Sequence, residues 1–78
     1  MHAPRDPLNA FLNLPQVTVP HAASGPLEGL SLAVKDIFDV AGLVSGWGNP
    51  HRAAAAAPAE RTAGAVRMML DAGARFVG

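Results

Sequence analysis

The stretch Gly29-Leu30-Ser31-Leu32-Ala33-Val34-Lys35-Asp36 decides how the chain is read, because a short apolar run stops abruptly at a lysine followed by an aspartate. Residues 31–34 are apolar or small and of strand length, and turn-forming Gly25-Pro26 and the charged pair bound them. That pattern fits a buried strand better than a helix, which needs more residues. An ammonium group at the end of such a strand is expected to be partly desolvated.

Downstream, Ile37, Phe38 and Val40 crowd close behind, and a second strand is expected over 37–40. Ala41-Gly42 then supplies a turn in which glycine takes positive φ. Ser45-Gly46-Trp47-Gly48-Asn49-Pro50 has loop chemistry, with Trp47 read as an anchor packed on a neighbouring surface rather than a substrate-lining residue. The run Ala53 to Ala57 shows no amphipathic face and meets Pro58, so it reads as spacer. A helix is expected over 62–72: Thr62 is a candidate cap, and Val66, Met69, Leu70 and Gly73 follow helical spacing while Arg67 and Asp71 fall outside it. Gly73 marks its end, and a strand follows over 75–78. Strand, loop, helix and strand make a crossover unit, which normally joins parallel strands, so the fold class is α/β.

Upstream, five of the seven prolines lie in residues 1–26, and each biases its predecessor away from helix. This part reads as an irregular lead-in. Leu8, Phe11 and Leu12 have the spacing of one or two amphipathic turns, and Gln16-Val17-Thr18-Val19 that of a brief edge segment between prolines.

Composition narrows the function classes. With 78 residues, 50% of them hydrophobic but many of those alanine, the chain has little core to bury. It has no cysteine, so neither a disulfide framework nor a thiolate metal site compensates. Six basic and six acidic residues balance and are scattered singly, which leaves no electrostatic footprint for nucleic acid or an anionic membrane. Neither a signal-peptide run nor a membrane-length apolar stretch is present, and the expected location is cytoplasmic.

Few residues carry chemistry. His2, His21 and His51 are too dispersed to hold a metal and read as exposed. The glycines form neither a Walker loop nor Gly-x-Gly-x-x-Gly. Lys35 remains. Taken alone, a lysine at a strand end is usually a side chain whose head reaches water. Burial that lowers its pKa is the alternative, and makes it a general base. Asp36, on the opposite face of a strand, need not neutralise it.

The segment Gly25-Pro26-Leu27-Glu28-Gly29-Leu30-Ser31-Leu32-Ala33-Val34-Lys35-Asp36 resembles the Gly-Pro-Leu and Lys-Asp segment of amidase-signature enzymes. Asp39-Val40-Ala41-Gly42, and Leu70-Asp71-Ala72-Gly73-Ala74 through Val77-Gly78, are similar to later family motifs. Lys35-Asp36-Ile37-Phe38-Asp39-Val40 followed by Gly46-Trp47-Gly48-Asn49-Pro50 is most similar to the branch holding plant indole-acetamide hydrolases and related bacterial amidases. The resemblance covers residues 25–78. It implies that these form the opening, incomplete part of the family's mixed sheet with flanking helices, and that residues 1–24 precede the domain.

The resemblance further implies a Ser-cis-Ser-Lys triad with Lys35 as its base, acting on a small or aromatic carboxamide without metal or organic cofactor. The family's Gly-Gly-Ser-Ser segment, which carries both serines, does not occur here, and Ser24, Ser31 and Ser45 lack its glycine-flanked setting. The sequence therefore reads as a truncated amidase, inactive alone, whose partner in the longer enzyme is a small-molecule amide. Two other readings stand beside it: a non-catalytic module like the amidase-like receptors of organelle import, and an amidotransferase subunit.

Overall fold

The computed structural model describes Pro7, Leu8, residues 10–12, Leu14 and residues 17–78. Four elements follow in order: β1 (Ser31–Leu32), α1 (Pro50–Ala55), α2 (Gly64–Asp71) and β2 (Arg75–Phe76). The two strands pair in parallel, Ser31 opposite Arg75 and Leu32 opposite Phe76, as expected of a strand-helix-strand crossover. Regular strand geometry is short, but hydrogen bonding reaches further on both sides. Arg75 N donates to Leu30 O at 2.9 Å, Val77 N to Leu32 O at 3.0 Å, and Val34 N to Gly78 O at 2.7 Å.

Helix α2 follows from its spacing: Val66 and Leu70, four residues apart, are both buried. Met69, also expected on the inner face, is 43% exposed. Its N-cap is Ala63, without a side-chain cap. Thr62 is used otherwise, its Oγ1 accepting from Ala41 N at 3.0 Å. At the other end the Ala74 N–H reaches Met69 O and the Gly73 N–H reaches Leu70 O, both at 3.1 Å. This paired closure is a Schellman motif, and it needs the left-handed φ of +105° that Gly73 supplies. The stretch before β1 straps this end, with Ala22 N donating to Leu70 O and Leu27 N to Ala72 O, both at 2.9 Å.

Val40, Leu43, Val66 and Leu70 form the core, with Leu14, Val17, Val19, Leu32, Val34, Ala63 and Phe76 packed around it. Val40 and Leu43 reach it through a turn closed by Leu43 N to Val40 O at 3.0 Å, in which Gly42 has φ +88°. Two expectations are corrected here. Residues 37–40 are not a strand: Phe38 N donates back to Lys35 O at 3.0 Å, closing a turn. Ile37 and Phe38 are 53% and 41% exposed, so the apolar crowding after Lys35 is not a core-facing alternation. The alanine run is not spacer either, since Ala53 to Ala55 complete α1. Asn49 caps that helix by accepting from His51 N at 2.9 Å and Arg52 N at 3.4 Å, and Pro50 occupies its first turn.

In the lead-in, Pro7 and Leu8 lie in a turn, Leu8 and Leu12 are 86% and 56% exposed, and no helix forms among the described residues. Of the expected edge segment, Gln16 lies outside the described residues, and residues 17–20 take no regular structure.

Candidate functional site

Where β1 gives way to the turn at 35–38, a mainly apolar cleft of about 350 Å³ opens. Phe11, Phe38 and Phe76 line it with Val34, Leu43 and Val44, and Lys35, Asp36 and Ser45 supply its polar groups. Lys35 is exposed, so the expected desolvation of its ammonium is not found. The lysine sits in the turn, its carbonyl accepting from Phe38 N, instead of within the sheet. Its side chain makes no hydrogen bond or ion pair with the described residues; among them, the ion pair present is Arg67–Asp71 on the surface of α2. Lys35 is also the only lysine in the sequence.

Asp36 does not pair with Lys35, for a reason other than strand alternation. Its carboxylate accepts from two backbone amides, Gly46 N at 2.9 Å on Oδ1 and Gly48 N at 3.0 Å on Oδ2. Its own carbonyl takes a third, Trp47 N at 3.2 Å. One residue thus clamps the whole 46–48 turn, satisfying backbone donors that no strand or helix reaches. Gly46 suits this closeness: a β-carbon there would stand 3.1 Å from Asp36 Oδ2 and 3.0 Å from Ala53 Cβ, so a neighbour would have to shift by a few tenths of an ångström. The turn closes through Asn49 N to Gly46 O at 2.9 Å, with positive φ at both central residues, Trp47 at +54° and Gly48 at +69°.

A second acidic side chain extends the network. Ser45 Oγ donates to Asp39 Oδ1 at 2.7 Å and lies 3.3 Å from Phe38 O. Ser45 is 7% exposed and shares the cleft with Lys35, yet its hydroxyl is committed to Asp39 and no hydrogen bond joins it to the lysine. Arg52 on α1 donates from Nε to Ser45 O at 3.0 Å, and its guanidinium carbon lies 3.4 Å from the centroid of the Trp47 ring. Trp47, expected as an anchor packed on a neighbouring surface, is instead 58% exposed and carries Arg52 on its face.

Ser31 lies in β1 and Ser24 in the bend before Gly25, both exposed and away from the cleft lining. His21 and His51 are exposed, as expected, and His2 lies outside the described residues. No group of metal-binding side chains forms among the described residues, and no described helix is long and apolar enough to cross a membrane. Sequence reading missed Asp36, Asn49 and Arg52 as the residues that build this site. For Asn49 a signal was present, since Asn-Pro before a helix-forming run is a cap followed by a first-turn proline.

Comparison with known proteins agrees with the resemblance at its coarser level. The chain is 43% identical over 74 residues to a rice protein named amidase 1, covering 95% of this chain and 17% of the relative. It is 38% identical over 78 residues to amidase 1 of Arabidopsis thaliana, covering 97% of this chain and 18% of the relative. These similarities link the chain to the amidases, and it spans less than a fifth of the length of those relatives. It is also 41% identical over 64 residues to the pea protein named translocon at the outer membrane of chloroplasts 64, covering 82% of this chain and 11% of the relative. No protein-family model and no solved structure matches it.

Proposed function

We propose that these residues form the lysine-bearing opening of an amidase-signature enzyme, which hydrolyses a small or aromatic carboxamide to a carboxylate and ammonia. In that reading β1 and β2 belong to the family's mixed sheet, the enzyme is cytoplasmic, and Lys35 is the base of a Ser-cis-Ser-Lys triad. The amine takes a proton from a bridging serine, which activates a nucleophilic serine for attack on the amide carbonyl, and aligned backbone donors hold the oxyanion. The observation that carries the reading is the 43% identity to rice amidase 1 across nearly the whole chain. Its support in the geometry is a lysine that has no ion pair among the described residues and lines an apolar cleft together with three phenylalanines.

Neither triad serine is contributed by residues 1–78, so the chain alone is expected to release no ammonia from any carboxamide. Turnover by the chain that Lys35→Ala abolishes would overturn the assignment of the serines to a Gly-Gly-Ser-Ser segment elsewhere.

A second reading, a non-catalytic amidase-like interaction module, is supported by the 41% identity to the pea translocon protein. Reading the coding sequence beyond Gly78 separates the two. An in-frame Gly-Gly-Ser-Ser segment supports the enzyme; a substituted one, or appended helical repeats, supports the module.

A further inference from the structure

Trp47 occupies a conformation and a position that packing does not explain. At φ +54° a residue with a β-carbon is disfavoured, and with the residue 58% exposed, burial offsets little of that strain. Three hydrogen bonds to Asp36 hold the turn in place around it. What the conformation achieves is to lay the indole under Arg52, whose guanidinium carbon is 3.4 Å from the ring centroid. The guanidinium is fixed a second time by its Nε bond to Ser45 O at 3.0 Å, and Ser45 is itself buried and bound to Asp39. The ring contact and one hydrogen bond therefore hold the group at two points.

Its two Nη atoms have no hydrogen-bond or ion-pair partner among the described residues. A guanidinium offers paired donors in a planar fork that matches the two oxygens of a carboxylate. We propose that Arg52, held over the Trp47 ring, is a receptor for a carboxylate, bound in a bidentate pair along the Nη edge. A monoanion fits better than a phosphate dianion, because the supporting loop already carries the carboxylates of Asp36 and Asp39 and like charges close by oppose a second negative charge. The proposal uses neither Lys35 nor the amidase reading, and it stands or falls separately from both.

The experiment titrates the isotopically labelled full chain with sodium acetate, replacing sodium chloride at constant ionic strength. The signals followed are the Arg52 Nε–H and the indole N–H of Trp47, the sole tryptophan. Expected are ring-current-displaced Arg52 resonances in the free chain and a saturable acetate shift of both signals. Arg52→Lys, which keeps the charge and removes the fork, weakens binding about tenfold, while Trp47→Phe, which keeps an aromatic plate, stays within about threefold. A parallel titration with N-acetylglutamate amide identifies the source of the carboxylate: tighter binding than acetate assigns the site to an acidic side chain of a polypeptide, equal binding to free carboxylates. An equal response to chloride, unchanged affinity in Arg52→Lys with the free-chain spectrum retained, or undisplaced Arg52 resonances would overturn the proposal.

Discussion

The side of the molecule built from β1, α2 and β2 is held by apolar packing, with Val40, Leu43, Val66 and Leu70 at its centre. Residues 44–52 are held differently, by Asp36, Asp39, Ser45, Asn49 and Arg52 reaching backbone or one another across the loop. The first region resists disruption in proportion to the area it buries, and the second in proportion to the number of backbone donors that one side chain satisfies. A small domain has too little core to fix every segment by packing. Here the turn at residues 46–48 is fixed by the Asp36 carboxylate instead.

The largest effect is expected from breaking the packed side. Leu70 is 3% exposed at the heart of the core, and Leu70→Ala should cost about 2–5 kcal/mol, enough to abolish a cooperative thermal transition in a chain of this size. A transition displaced by only a few degrees would mean that the core is not the principal source of stability. Next comes the clamp. Asp36→Ala leaves the amides of Gly46 and Gly48 without their acceptor, and urea unfolding followed by Trp47 fluorescence should show a loss of about 2 kcal/mol.

Trp47→Gly is expected to move stability by less than about 1 kcal/mol, because relief of the positive φ and loss of the contact with Arg52 oppose each other. Denaturant midpoints of the two proteins check this. The smallest effect belongs to Arg67→Ala: the Arg67–Asp71 pair is 3.6 Å long, with side chains 67% and 68% exposed. Its removal should change the unfolding free energy by less than about 0.5 kcal/mol.

The same division explains what the sequence disclosed. Helix α2 was legible because Val66 and Leu70 stand one turn apart on a buried face, and the β1 and β2 positions because short apolar runs end at charge or glycine. Parallel pairing then followed from the intervening helix. Residues 37–40 misled because Ile37 and Phe38 are apolar but turn outward, a choice made by the Lys35–Phe38 turn and invisible to periodicity. Helix α1 was hidden by a run of alanines with no amphipathic face, although Asn49-Pro50 announced its start. Lys35 was found as a candidate, but the Asp36 clamp beside it was not. A carboxylate that accepts from glycine amides 10 and 12 residues away leaves no pattern in the sequence between them.

The most direct test of the central claim is a chimera in which residues 1–78 replace the matching segment of rice amidase 1, assayed for ammonia release from carboxamides. The expected result is a folded, active hybrid whose activity falls about 10²–10⁴-fold with Lys35→Ala, the scale of losing a general base. A folded hybrid whose Lys35→Ala form keeps full activity would contradict the account.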